Sequence, residues 1–223
     1  MALKTIVTGY PRGATRWAYQ VLKAAGCDVG FCSVFTHQTT PQYAYKAIAD
    51  APHEFEVSWF AAPFLSHPAV EDINVVRLER DPMSVASSLY WMGALRSAHN
   101  TYMEDWSSVM ARSAPELNEF YRGRPWQGSL YFVCEWAEKV LELSTYSDTC
   151  VKVEDGASIF LQACGVPVYS TVKGAAPCNV SGCRRQSETD DLRFPIGKRM
   201  KKLLKERGYS EVSWDASKAA NRY

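Results

Sequence analysis

The sequence carries almost no net charge: 25 Lys and Arg against 24 Asp and Glu leave +1 over 223 residues. That removes any bulk electrostatic case for binding nucleic acid or an anionic membrane, so recognition of an anion has to be local. No apolar run approaches the ~20 residues that cross a bilayer, and no membrane span is expected. The opening MALKTIVTGY enters an apolar stretch at once and leaves no room for a signal peptide, which predicts a cytoplasmic protein. The seven cysteines (Cys27, Cys32, Cys134, Cys150, Cys164, Cys178, Cys183) are odd in number and form no Cys-x-x-Cys pair. They suit reduced thiols better than a disulfide framework or a zinc site, and no metal is expected. Internal repeats and low-complexity linkers are also missing, and the length suits a single domain over 1–223.

The residues that are present organise around 4–25, KTIVTGYPRGATRWAYQVLKAA. The β-branched run Thr5 to Thr8 predicts a buried strand, and Gly9 to Ala14 a tight loop. From Thr15 the period changes to that of a helix, with Trp17, Ala18, Val21, Leu22 and Ala25 on one side and Gly26 as the C-terminal cap. A P-loop-like strand, small-residue loop and helix aim backbone N–H groups and the helix dipole at one anion. Arg12 and Arg16 add full charges, and an Arg in a first helical turn is unfavourable for the helix unless an anion is present. An ordinary βα turn with solvated arginines has the same pattern.

Further strands are predicted at 27–31, 54–59, 74–78 and 150–153. Helices are predicted at 43–49, 83–96, 130–143, 159–164 and 196–207. Asp81 reads as an N-cap and Pro82 as a first helical residue. Alternating strands and helices give an α/β fold, a central parallel sheet flanked by helices.

Tyr10-Pro11-Arg12-Gly13-Ala14-Thr15-Arg16-Trp17 resembles the phosphosulfate loop of the sulfotransferases that use 3′-phosphoadenosine 5′-phosphosulfate (PAPS), often Tyr-Pro-Lys-Ser-Gly-Thr-Thr-Trp. Val76 to Ser88, VRLERDPMSVASS, resembles their second signature, in which a strand-ending Arg and a Ser one helix later hold the 3′-phosphate. Val151-Lys152-Val153-Glu154-Asp155 and the segment from Arg184 to Tyr209 are similar to further parts of small members; 97–129 is not covered. The resemblance implies a cofactor site of Arg12, Gly13, Ala14, Thr15, Arg16, Trp17, Arg80, Ser88, Arg184 and Arg185. It likewise implies PAPS as the donor, PAP (3′-phosphoadenosine 5′-phosphate) as the product, and a hydroxyl or amine of a small molecule or glycan as the acceptor. Arg12 stands where the family has Lys, Gly13 where it has Ser, and Arg16 where it has the second Thr. Trp17 is either the indole that stacks on adenine or a core aromatic.

Transfer to a hydroxyl needs a base for its proton. His37 is the first candidate, 25 residues after Arg12, because imidazole is suited to neutral-pH proton transfer; Glu56 is the second. His53, His67 and His99 flank loops and receive no role. The aromatic stretch Tyr90, Trp91, Tyr102, Met103, Trp106, Phe120, Tyr121 and Trp126 is an acceptor floor or core packing. The basic helix carrying Lys198, Arg199, Lys201, Lys202, Lys205 and Arg207 is read as a solvated face. Two rival functions remain. A nucleotide-dependent phosphotransferase shares strand-loop-helix, but the Gly-Lys-Ser/Thr end of a Walker loop is missing. A non-catalytic nucleotide-binding module would keep the grip without the base.

Overall fold

The computed structural model of the protein describes residues 2–36, 38–91, 125–141, 149–168 and 195–209. The chain gathers into two compact units, Met1–Arg80 with Ala137–Asn179 and Asp81–Trp136 with Val180–Tyr223.

The first unit holds the sheet. Its strands are β1 (Thr5–Gly9), β2 (Val29–Phe31), β3 (Phe55–Val57), β4 (Asn74–Glu79) and β5 (Thr149–Lys152). They lie in the order β2-β3-β1-β4-β5, every pair parallel. β1 is fully buried in the centre, as its β-branched run predicts. Side chains alternate between two cores. Val7, Val57, Val76, Leu78 and Val151 point to one face, where they meet α1 (Thr15–Ala24) and α5 (Ala157–Ala163) through Val21, Leu22, Phe160 and Leu161. Ile6 and Val75 point to the other, where Ala44 of α2 (Pro41–Ala49), Phe35, Phe64 and Leu65 cover them. The sheet is therefore flanked by helices on both faces, the α/β architecture expected from the sequence.

Several boundaries shift for local reasons. Helix α2 begins two residues earlier than its apolar pattern, because Pro41 supplies a preset φ at the first position. The strand expected over 54–59 stops at Val57. There Ser58 Oγ accepts from Phe60 N–H and turns the chain into a 3₁₀ segment, Trp59–Phe64. Gly26, Gly165 and Gly208 all take the left-handed conformation just past a helix, where a side chain would be strained.

The second unit contains α3 (Pro82–Trp91), α4 (Pro125–Trp136) and α6 (Pro195–Glu206), which pack on one another. Asp81 caps α3, its Oδ1 accepting from Met83 N–H at 3.2 Å and its Oδ2 from Ser84 Oγ at 2.7 Å. Met200, Leu203 and Leu204 of α6 are buried, while Lys198, Lys201, Lys202 and Lys205 lie on its exposed side. Arg199, expected on that solvated face, instead turns inward. Its Nη2 is 2.6 Å from Oε1 of Glu135, a residue only 3% exposed, and its guanidinium lies 5.2 Å from the Tyr131 ring. Removing the cation takes an ion-pair partner from a buried carboxylate, so Arg199→Met is expected to cost about 3 kcal/mol. A urea titration reads this as a lower midpoint at unchanged slope. Adding Glu135→Leu to the same chain is expected to recover most of the loss, since an apolar pair has no charge to desolvate.

Candidate functional site

The order of the sheet locates a crevice. After β1 the chain crosses to the β2 and β3 side; after β4 the next strand, β5, lies on the other side. β1 and β4 are neighbours, paired from Thr5–Asn74 to Gly9–Leu78. The loops leaving their carboxyl ends thus diverge, which is where open α/β sheets bind ligands. The loop after β1 is Tyr10 to Ala14, and Arg80 follows β4 directly.

That loop is close-packed. A Cβ on Gly9 would come 2.6 Å from Leu78 O, so only glycine lets β1 turn beside β4. Gly13 N–H donates to Tyr10 O at 2.8 Å, closing a turn with Pro11 and Arg12 at its centre. Arg12 has φ 64°, the positive φ that a type II turn requires at this position and that normally selects glycine. Ala14 is left-handed as well, at φ 70°. Two side-chain-bearing residues held left-handed store about 1–2 kcal/mol each, and such strain concentrates at ligand sites.

Ala14 is also the N-cap of α1, and it offers no side-chain acceptor. The helical ladder begins with Ala18 N–H to Ala14 O at 3.1 Å. The N–H groups of Thr15, Arg16 and Trp17 lie ahead of it, in the position from which a helix start serves an anion. No acidic residue occupies the first turn, and Arg12 and Arg16 are both exposed. Arg80 joins this loop: its Nη1 donates to the backbone O of Arg12 at 3.0 Å. The residue that the second signature supplies therefore fixes the strained turn of the first.

The other expected site residues are distributed unevenly. Trp17 is 4% exposed and sits in the core between α1 and α5, its ring centroid 5.2 Å from that of Phe160. Ser88 lies buried on α3, in the second unit. His37, Arg184 and Arg185 lie outside the described residues, as do Tyr102, Met103, Trp106, Phe120 and Tyr121. Tyr90 and Trp126 make an edge-to-face pair at 5.6 Å.

Glu56 is completely buried in β3. Its Oε1 accepts from Ser33 N–H at 2.7 Å and Val34 N–H at 3.0 Å, and its Oε2 from Ser33 Oγ at 2.7 Å. His53 Nε2 is 2.8 Å from the same hydroxyl. Ser33 and His53 were not legible as partners, and His53 has more to do than flank a loop. A Glu in the middle of a buried strand is a signal in itself, because a buried carboxylate needs donors. Beside them, burial pushes the Cys32 thiol up to about 11, so it stays protonated.

Fold and loop together define an α/β protein with a strained, arginine-bearing turn at the start of its first helix. No protein-family model matches the chain, and no curated protein matches it. Among solved structures it is similar to the crystal structure of a sulfotransferase from Alicyclobacillus acidocaldarius, with 13% sequence identity and a TM-score of 0.45, over 96% of this chain and 99% of that one. A likeness of that depth assigns no residue a role. Among the described residues no helix is long and apolar enough to cross a membrane, and no group of three His, Cys, Asp or Glu is placed to hold a metal ion.

Proposed function

We propose that the protein is a sulfotransferase that moves the sulfuryl group of PAPS to a hydroxyl or amine of a small-molecule or glycan acceptor. One observation carries the reading: a strained, arginine-bearing turn, tied to Arg80, that leads into a helix start with no cap of its own. A 5′-phosphosulfate fits this cradle, since it brings the acceptor oxygens that the helix start and the arginines call for. Arg80, Ser88 and the arginines at 184 and 185 are assigned to the 3′-phosphate.

In the proposed step, the acceptor oxygen forms a bond to sulfur as the bond from sulfur to the 5′-phosphate oxygen breaks. The acceptor's proton passes to His37, and PAP leaves. Arg12 and Arg16 neutralise the charge that grows on the departing phosphate, so the rate gain comes from positioning and preorganised charge. His37 is kept as the base in preference to Glu56, whose carboxylate already serves Ser33 and Val34.

Thermal-shift titration tests the donor class. PAP at about a hundredfold over its Kd is expected to stabilise the folded protein by about 2.7 kcal/mol, or roughly 5–10 °C in Tm, without magnesium. ADP and ATP are expected to do much less. Stabilisation by magnesium-ATP alone would sink the reading and put a phosphotransferase in its place.

A further inference from the structure

We propose that Glu56, Ser33 and His53 form a positioning network for the loop 33–39, and that Glu56 acts through this loop rather than as the base. The inference rests on the sulfuryl-transfer reading in one respect: position 37, the candidate base, belongs to this loop.

The network begins with a missing side chain. Gly30 of β2 is in register with Glu56, and a Cβ there would fall 2.3 Å from the imidazole of His53 and 2.3 Å from Ser33 Oγ. The bare backbone lets the ring and the hydroxyl meet above it. Ser33 O–H donates to Glu56, which leaves its oxygen lone pairs to accept from His53 Nε2–H. The carboxylate thus holds two consecutive backbone N–H groups directly and the ring through one hydroxyl.

From Ser33 onward nearly every residue is tied. Ser58 Oγ donates to Phe35 O at 2.9 Å, and the Phe35 side chain is buried. Thr36 N–H donates to Thr39 Oγ1 at 2.9 Å, Gln38 N–H to Thr36 Oγ1 at 3.2 Å, and Thr39 N–H to Thr36 O at 3.0 Å. Thr36 and Gln38, on either side of position 37, are therefore held by the hydroxyls of Thr39 and Thr36, and Ser33 and Val34 are fixed to β3 by Glu56. A buried charge that does nothing but hold a loop is costly to desolvate. Its use here makes sense if the loop must present a group to within a fraction of an ångström.

Paired substitutions in the full chain distinguish a holder from a base. Glu56→Gln keeps an oxygen for the two N–H groups, whereas Glu56→Ala keeps nothing. Hydrogen exchange at the amides of Ser33 and Val34 is expected to accelerate at least tenfold in Glu56→Ala and no more than about threefold in Glu56→Gln. Turnover with PAPS, using 4-nitrophenol and glucosamine as probe acceptors, is expected to fall about a hundredfold in Glu56→Ala and less than about fivefold in Glu56→Gln, with the acid limb of the pH–kcat profile unmoved. A base would lose 10²–10⁴-fold in either variant. Equal loss in both, with the amides still protected, would overturn the proposal and make Glu56 the base. So would unchanged exchange in Glu56→Ala. If that variant fails to fold, Ser33→Ala and His53→Ala, on exposed and half-buried residues, carry the same exchange readout at smaller amplitude. A wild-type chain that transfers no sulfuryl group counts against the proposed function, and the exchange data still decide whether the network holds the loop.

Discussion

Replacing Arg80 by alanine is expected to weaken PAP binding about a hundredfold. The guanidinium has two tasks in the proposed site. It donates to the backbone O of Arg12 at 3.0 Å, holding a left-handed turn in place, and it brings a cation to the anion. A hydrogen bond to a charged group contributes about 1.5–3 kcal/mol, and each 1.4 kcal/mol is a factor of ten. Loss of one such bond to phosphate, together with a loosened turn, gives two orders of magnitude. Arg80→Lys keeps the charge but not the fork that spans a carbonyl and a phosphate at once, so it is expected to fall between the two, near tenfold. Isothermal titration with PAP measures both. An alanine variant that binds as tightly as wild type would remove Arg80 from the cofactor site.

Placing serine at position 13, as in the sulfotransferase loop that the sequence resembles, is expected to harm this protein. In other chains Gly13→Ser would be a move toward the common pattern. Here a Cβ on residue 13 would stand 2.7 Å from Tyr10 O and 3.1 Å from Tyr10 N and Tyr10 Cβ, all atoms that cannot swing away. The same Tyr10 O accepts from Gly13 N–H to close the turn, so relief means opening it. Forced packing of this kind costs about 1–3 kcal/mol, a Tm lowered by roughly 2–12 °C at this chain length. Because the turn carries Arg12, PAP affinity is expected to drop at least tenfold as well. A Gly13→Ser protein with unchanged Tm and tighter PAP binding would show that the loop tolerates the hydroxyl, and that the tight turn is not required.

The sequence patterns that survived in the fold are those set by a few neighbouring residues. Thr5 to Thr8 had to be a buried strand because four successive apolar or β-branched residues have no exposed face. Asp81-Pro82 had to start a helix because both residues prefer that one place. The loop at 9–14 was legible as a tight turn between strand and helix, but not its strain, since nothing in a sequence says that an Arg and an Ala will be held left-handed. Contacts between distant residues were the least visible. Trp17 carries the same amphipathic signal whether it faces a ligand or Phe160. His53 and Ser33 become partners only through the pairing of β2 with β3 and the bare Gly30 between them. Glu56 was legible only as a second candidate base, and not as the buried acceptor of the Ser33 and Val34 N–H groups.

The parallel pairing of β4 with β5 has a consequence for how the chain assembles. Residues 74–79 meet their last partner only when residues 149–152 arrive, and the whole of Asp81–Trp136, assigned to the other unit, lies between them in sequence. During synthesis β1, β3 and β4 are complete some seventy residues before β5 leaves the ribosome. Until then one side of β4 presents unpaired backbone, flanked by Val75, Val76 and Leu78. Closing a loop of that size is slow, and an open apolar edge is the usual start of mispairing. The nascent protein thus passes through a stage in which an unfinished apolar edge lies beside Arg80, which holds the turn at Arg12.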